Sequence, residues 1–128
     1  MKSLTLLLVA FCFLACSSKT TLNGEVFVAT QGGQSVKLGA VPVHIFREEK
    51  AKPLADTVFD HLDKADFSTT TDADGKFSVK VPEGFYIVVA QADRRTFDGT
   101  DHYKWKVLVS AAGPDKKVSL NNTNLFAF

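Results

Sequence analysis

The chain predicts an all-β fold: a seven-stranded antiparallel Greek-key β-sandwich with one short inserted helix. Three observations lead there. Apolar and polar residues alternate with period two over several short stretches. Turn-forming residues punctuate those stretches. The stretches number about seven over roughly a hundred residues, which is the spacing of a sandwich. A length of 128 residues allows one compact domain, and 45% apolar residues supply a core for it.

Taken in order, residues 22–30 form the first candidate strand. Val41, Val43 and Ile45 then alternate with Pro42, His44 and Phe46, and Phe77, Val79 and Val81 alternate with Ser78 and Lys80. Tyr103, Trp105, Val107 and Val109 alternate with Lys104, Lys106 and Leu108, which places Trp105 in the core. Residues 85–90 are apolar throughout apart from the mildly amphipathic Tyr86, the pattern of a central strand covered on both faces. Residues 67–71 and 117–120 complete the set. Asp72-Ala73-Asp74-Gly75 is expected to close a tight hairpin between residues 67–71 and 76–81, and Pro82-Glu83-Gly84 makes a second turn. Between Glu48 and Asp66 the period changes. Leu54, Val58, Leu62 and Ala65 fall four, four and three apart behind Pro53, which predicts one amphipathic helix there.

The N-terminal stretch obeys different rules. Lys2 precedes an apolar run over residues 4–15 that is too short to cross a bilayer and has the pattern of a signal peptide, residues 1–15. Phe13-Leu14-Ala15-Cys16-Ser17-Ser18 resembles the lipobox of bacterial lipoproteins. That resemblance implies cleavage before Cys16, acyl chains on its thiol and new amine, and the membrane as a partner through those chains. It also implies a lipid-anchored place in the bacterial cell envelope, with Ser17 resembling the outer-membrane case in a cell with two membranes. Cys12 lies in the removed segment, so Cys16 is the sole mature thiol and no internal disulfide can form. Two or more acyl chains anchor stably where one is marginal. Residues 16–21 then read as the lipidated N-terminus and a polar tether, and residues 22–128 as the folded domain. Removing Lys2 leaves fourteen basic and fourteen acidic residues. A neutral domain has no field to gather nucleic acid, and no nucleic-acid partner is expected.

Four signatures occur in order within the domain: Gly24-Glu25-Val26; Gly39-Ala40-Val41-Pro42-Val43-His44-Ile45; Thr71-Asp72-Ala73-Asp74-Gly75-Lys76-Phe77; and Pro82-Glu83-Gly84-Phe85-Tyr86-Ile87-Val88-Val89-Ala90. Together they resemble the carboxypeptidase regulatory-like family, whose fold is a transthyretin-like, or prealbumin-like, β-sandwich. The resemblance covers residues 22–92, and it implies a non-catalytic module that shares a scaffold more than a task.

Candidate chemistry is sparse. The ureide hydrolases of transthyretin type combine a His/Arg/His set with a C-terminal Tyr-Arg-Gly-Ser. This chain ends Asn121-Asn122-Thr123-Asn124-Leu125-Phe126-Ala127-Phe128, so a small hydrolase of that type is the weakest reading. His44, His61 and His102 lack metal-ligand spacing, and neither catalytic residues, a metal nor a cofactor is expected. Thr70, Asp72, Asp74 and Gly75 imitate a calcium loop, but Val81 stands where its bidentate Glu belongs. An internal crosslink from Lys37 to Asn121 or Asn122 is conceivable. The candidate ligand surface is the loop over residues 93–102, with Arg94, Arg95 and His102 beside Trp105, a mixture able to hold sugar hydroxyls or a carboxylate. The favoured reading of that loop has Phe97 closing the sandwich end and the arginines solvated. The leading expectation for function is a lipid-anchored envelope module with a binding or structural role and an envelope protein as possible partner. The alternative is a carbohydrate- or peptidoglycan-binding module using residues 93–105.

Overall fold

A computed structural model describes residues 18–30 and 32–127. The expected signal peptide and the lipidation at Cys16 lie outside the described residues. Among the described residues, nine strands form two facing sheets. In the first, β1 (Lys19–Ala29) is central: β8 (Asp115–Leu120) runs parallel along one edge, and β5 (Lys76–Pro82) and then β2 (Ser35–Lys37) run antiparallel along the other. The second has the order β4 (Phe67–Thr70), β3 (Pro42–Arg47), β6 (Gly84–Thr96), β7 (Gly99–Ala111), β9 (Leu125–Ala127), all antiparallel. The all-β sandwich stands as expected. It departs from expectation in having two further short strands, β2 and β9, and one parallel pair.

The alternating residues meet between the sheets. Leu22, Val26 and Val28 of β1, Phe77 and Val81 of β5, and Val118 and Leu120 of β8 face Val43, Ile45, Tyr86, Val88, Ala90 and Trp105 of the opposite sheet. Trp105 is fully buried, as its alternation predicted, and its indole N–H donates to the Asn121 carbonyl at 3.0 Å. Gly24 lies opposite Phe77, whose ring occupies the space a Cβ would need, so the close approach requires glycine. The Tyr86 hydroxyl donates to the Pro82 carbonyl four residues upstream, the device that fixes a strand corner in Greek-key sandwiches.

Of residues 85–90, expected to be covered on both faces, Val88 to Ala90 are so covered, while Phe85 is exposed because the outer-face segment does not reach it. Val88 points into the main core, while Val89 joins Phe46, Ala51 and Val58 in a second core on the outer face of the five-stranded sheet. Leu54, Leu62 and Ala65, three of the residues that predicted the amphipathic helix, pack against this second core. The single helix itself does not form. The segment folds instead as a one-turn α1 (Glu48–Ala51) and two 3₁₀ turns, Ala55–Asp60 and Leu62–Lys64. Ala55 adopts φ +49° and His61 φ −130°, both incompatible with continuous helix, while Asp66 holds the segment's two ends by accepting from the Arg47 N–H and donating its own N–H to Ile45.

Two connections also differ from expectation. Asp72-Ala73-Asp74-Gly75 does not close a hairpin: β4 pairs with β3, β5 pairs with β1, and the turn carries the chain from one sheet to the other. Its local chemistry is as read, since the Asp72 carboxylate accepts from the N–H groups of Asp74 (2.9 Å) and Lys76 (3.0 Å) and Gly75 takes φ +72°. Pro82-Glu83-Gly84 makes the same kind of crossing between β5 and β6. At the N-terminus residues 19–21, expected to belong to a polar tether, lie in a strand. β1 begins at Lys19, and Thr20 is buried with its hydroxyl donating to the Gly113 carbonyl at 2.7 Å, because β5 and β8 pair with this part of β1.

Candidate functional site

The region read as a loop over residues 93–102 is strand. β6 and β7 pair without interruption from Gly84 opposite Ala111 to Thr96 opposite Gly99, leaving Phe97 and Asp98 as a two-residue turn. β3 covers β6 only as far as Ala90, and β9 reaches β7 only at Lys104 and Trp105. Among the described residues no third strand pairs with residues 91–103, so this half of the hairpin is a two-stranded ribbon running past the sheet. Phe97 does not close the sandwich end; it is fully exposed at the ribbon tip. Strand pairing explains both corrections, because it consumes the backbone groups that a loop would have used to fold back. The signal that could have found it was Asp98-Gly99, turn chemistry with Gly99 at φ +142°.

Alternation along the ribbon separates the expected site residues. Arg94, Thr96, Asp101 and Tyr103 share the face that continues the sandwich core, whereas Asp93, Arg95, Thr100 and His102 share the other. On the core side the Arg94 guanidinium lies 4.0 Å from the Asp101 carboxylate, which also accepts from the Tyr103 hydroxyl at 3.3 Å. Burial, reinforced by Asp101, pushes the Tyr103 phenol above its usual pKa, and Arg94 opposes the shift. The Tyr103 ring stacks on Trp105 with centroids 5.8 Å apart, so this network is seated on the main core. On the opposite side His102 Nδ1 lies 2.6 Å from the Asp93 carboxylate, both side chains well exposed.

Between the ribbon and the end of β1 lies an open groove of about 700 Å³, lined by Thr30, Gly32, Arg94, Asp101, Tyr103 and Asn122 among others. Asn122 reaches it because its side-chain amide accepts from the Ala29 N–H and donates to the Ala29 carbonyl, tying the Asn122–Asn124 turn to β1. Of the three residues named from the sequence, Arg94 and His102 line the groove and Arg95 does not; Asp101 and Tyr103, which lie within the stretch 93–105 but were given no role of their own, and Asn122, from outside it, join them. The groove offers a cation, an anion, amides and hydroxyls around an aromatic floor, a set suited to a hydroxyl-rich or zwitterionic ligand.

The remaining candidates are dispersed. His44 is on β3, His61 between the two 3₁₀ turns and His102 on β7. Burial pushes the His44 pKa below its ordinary value, and the Ser68 hydroxyl lies 3.3 Å from its Nδ1. The side chains of Asn121 and Asn122 are engaged with Thr123 and Ala29 rather than with Lys37. The described residues hold no group of three His, Cys, Asp or Glu side chains able to share a metal ion, and no helix among them is long and apolar enough to cross a membrane.

No protein-family model matches the chain, and no curated protein matches its sequence. Among solved structures it is similar to a Pseudomonas aeruginosa protein provisionally described as carbohydrate-binding, at 17% identity and TM-score 0.55, over 85% of this chain and 94% of that one. It is also similar to the major pilin subunit of Bacillus cereus, at 12% identity and TM-score 0.55; there the match covers 80% of this chain and 29% of the pilin. At these identities the likeness establishes the β-sandwich fold.

Proposed function

We propose that this chain is a lipid-anchored, non-catalytic binding module of the bacterial cell envelope, related to the carboxypeptidase regulatory-like domains, and that it engages its partner with the β6–β7 ribbon. The observation that carries the reading is Phe97, fully exposed on a two-residue turn whose geometry asks only for a residue tolerant of the bend. A large aromatic there contributes nothing to the core and is placed to meet something outside. The lipobox at Cys16 supports the anchor, and the four ordered signatures support the family.

Glycan is the ligand class favoured in second place. The polar groove beside the ribbon supports it, as does the provisional carbohydrate-binding description of the Pseudomonas aeruginosa neighbour. Intact mass of the protein isolated from bacterial membranes tests the anchor: the expected product starts at Cys16 and carries acyl mass, and an uncleaved chain with a free thiol overturns it. Crosslinking pull-down with the wild type and a Phe97→Ala variant tests the ribbon. A reproducible partner lost in the variant supports the reading, and the same partners in both defeat it. Titration with envelope glycans separates the two ligand classes, since saturable binding abolished by Arg94→Ala favours glycan and flat curves remove it.

A further inference from the structure

We propose that the sandwich is seated on the lipid bilayer by the end that carries Ser18, through the exposed side chains of Phe85 and Leu108, and that the ribbon tip is thereby held away from the membrane. This rests on the reading that Cys16 is acylated. The geometry begins with the reach of the chain. Only Ser17 lies between Cys16 and Ser18, so whatever path the chain takes their Cα atoms are at most about 7 Å apart. The Ser18 carbonyl accepts from the Glu83 N–H at 3.3 Å, so the anchor is confined to the neighbourhood of the Pro82-Glu83-Gly84 turn.

Phe85 follows directly on that turn. It is 60% exposed, and Leu108 is 61% exposed. Phe85 pairs with Ser110 and Ile87 with Leu108, which makes Phe85 and Leu108 diagonal neighbours on the outer face of the five-stranded sheet, about 7–8 Å apart. Farther along the same face Val89 is covered by the segment between β3 and β4; Phe85 and Leu108 lie beyond its cover. Phe85 also borders a shallow hollow whose rim carries Arg47 and Lys52 together with Glu48, Glu49 and Glu83, so the surroundings are mixed in charge and the contact is apolar in character. Two half-exposed side chains would not recruit a free protein to lipid. For a body already tethered a few ångströms away the encounter is intramolecular, and the same two side chains are sufficient to choose its orientation. Phe97 stands at the other end of the same strand pair, about 40 Å along β6 at roughly 3.3 Å per residue.

The test uses the acylated chain purified from membranes and placed in phosphatidylcholine vesicles, with and without brominated acyl chains, carrying Phe85→Trp, Leu108→Trp or Phe97→Trp in turn. The native Trp105 is fully buried and gives a constant background. Bromolipid is expected to quench the new indoles of the first two variants and leave that of the third unchanged. Equal emission from the Phe85→Trp variant in both kinds of vesicle, or equal quenching of the Phe97→Trp variant, overturns the seating. Crosslinking between copies through position 85 in the unquenched case would assign the patch to a second copy of this chain. Flotation and intact mass are read on the same samples. A chain that floats with acyl mass but shows no quenching defeats only the seating, whereas a chain without acyl mass that stays in solution defeats the anchor and the seating together.

Discussion

One hairpin contains two opposite environments. In the half of β6–β7 nearest the Pro82 turn, Val88 and Val89 are fully buried on opposite faces of the sheet, and Trp105 lies on the pairing strand with no exposed surface. In the half beyond Ala90 the strands continue with the same register, yet Asp93, Arg95, Thr100 and His102 are exposed and Phe97 is bare. β6 and β7 pair with each other in the same way in both halves. What differs is whether another layer lies against the strand, and that decides whether a side chain contributes to stability or is left available for contact.

This contrast can be broken by substitution. Trp105→Ala removes the largest fully buried side chain and leaves the Asn121 carbonyl with the Asn124 N–H alone; it should cost about 3–5 kcal/mol in denaturant unfolding, and a loss below about 1 kcal/mol would mean that the main core is not organised around it. Val58→Ala, in the second core, should cost about 2 kcal/mol while the far-ultraviolet β signature persists, because the 3₁₀ segment covers the sheet without being part of it. A smaller effect is expected from His44. Its folded pKa is held below the ordinary 6.5, so the unfolded chain takes up the proton first; the fold is unaffected above that pH and loses stability as pH falls through 6.5 toward the folded value. His44→Gln should flatten this part of the stability profile measured between pH 7 and 5, and an unchanged slope would place its source elsewhere. Phe97→Ala should change stability by no more than about 0.5 kcal/mol while removing partner capture. A larger loss of stability would show that the ribbon tip packs on something within the fold.

Much of the architecture was legible in the sequence, for reasons particular residues make plain. Val43, Ile45, Phe77, Val81, Trp105 and Val109 were assigned to the core by alternation, and all are buried there. Double cover of residues 85–90 holds for Val88 to Ala90 and fails at Phe85, which the segment on the second face does not reach. Leu54, Val58, Leu62 and Ala65 were rightly read as apolar contacts and wrongly as a helix. Their spacing shows only that they share a side, and a chain held onto a sheet by its two ends at Asp66 can present that side in 3₁₀ turns. Of the candidate site, Arg94 and His102 were named, but their partners Asp101 and Asp93 acquire meaning only through pairing nine or fewer positions across a turn.

The linear pattern by itself determined which positions are buried and where the chain bends, since side-chain period and turn sterics act over a few neighbouring residues. Partnership was decided only by the tertiary structure. The Asp72 turn has the chemistry of a hairpin but joins two different sheets, while the Phe97-Asp98 turn closes the longest hairpin among the described residues. A turn reverses the chain at the same local cost whichever edge receives the next strand. The edge is chosen by the apolar surface that closing the sandwich removes from water, a quantity shared by residues far apart in the chain.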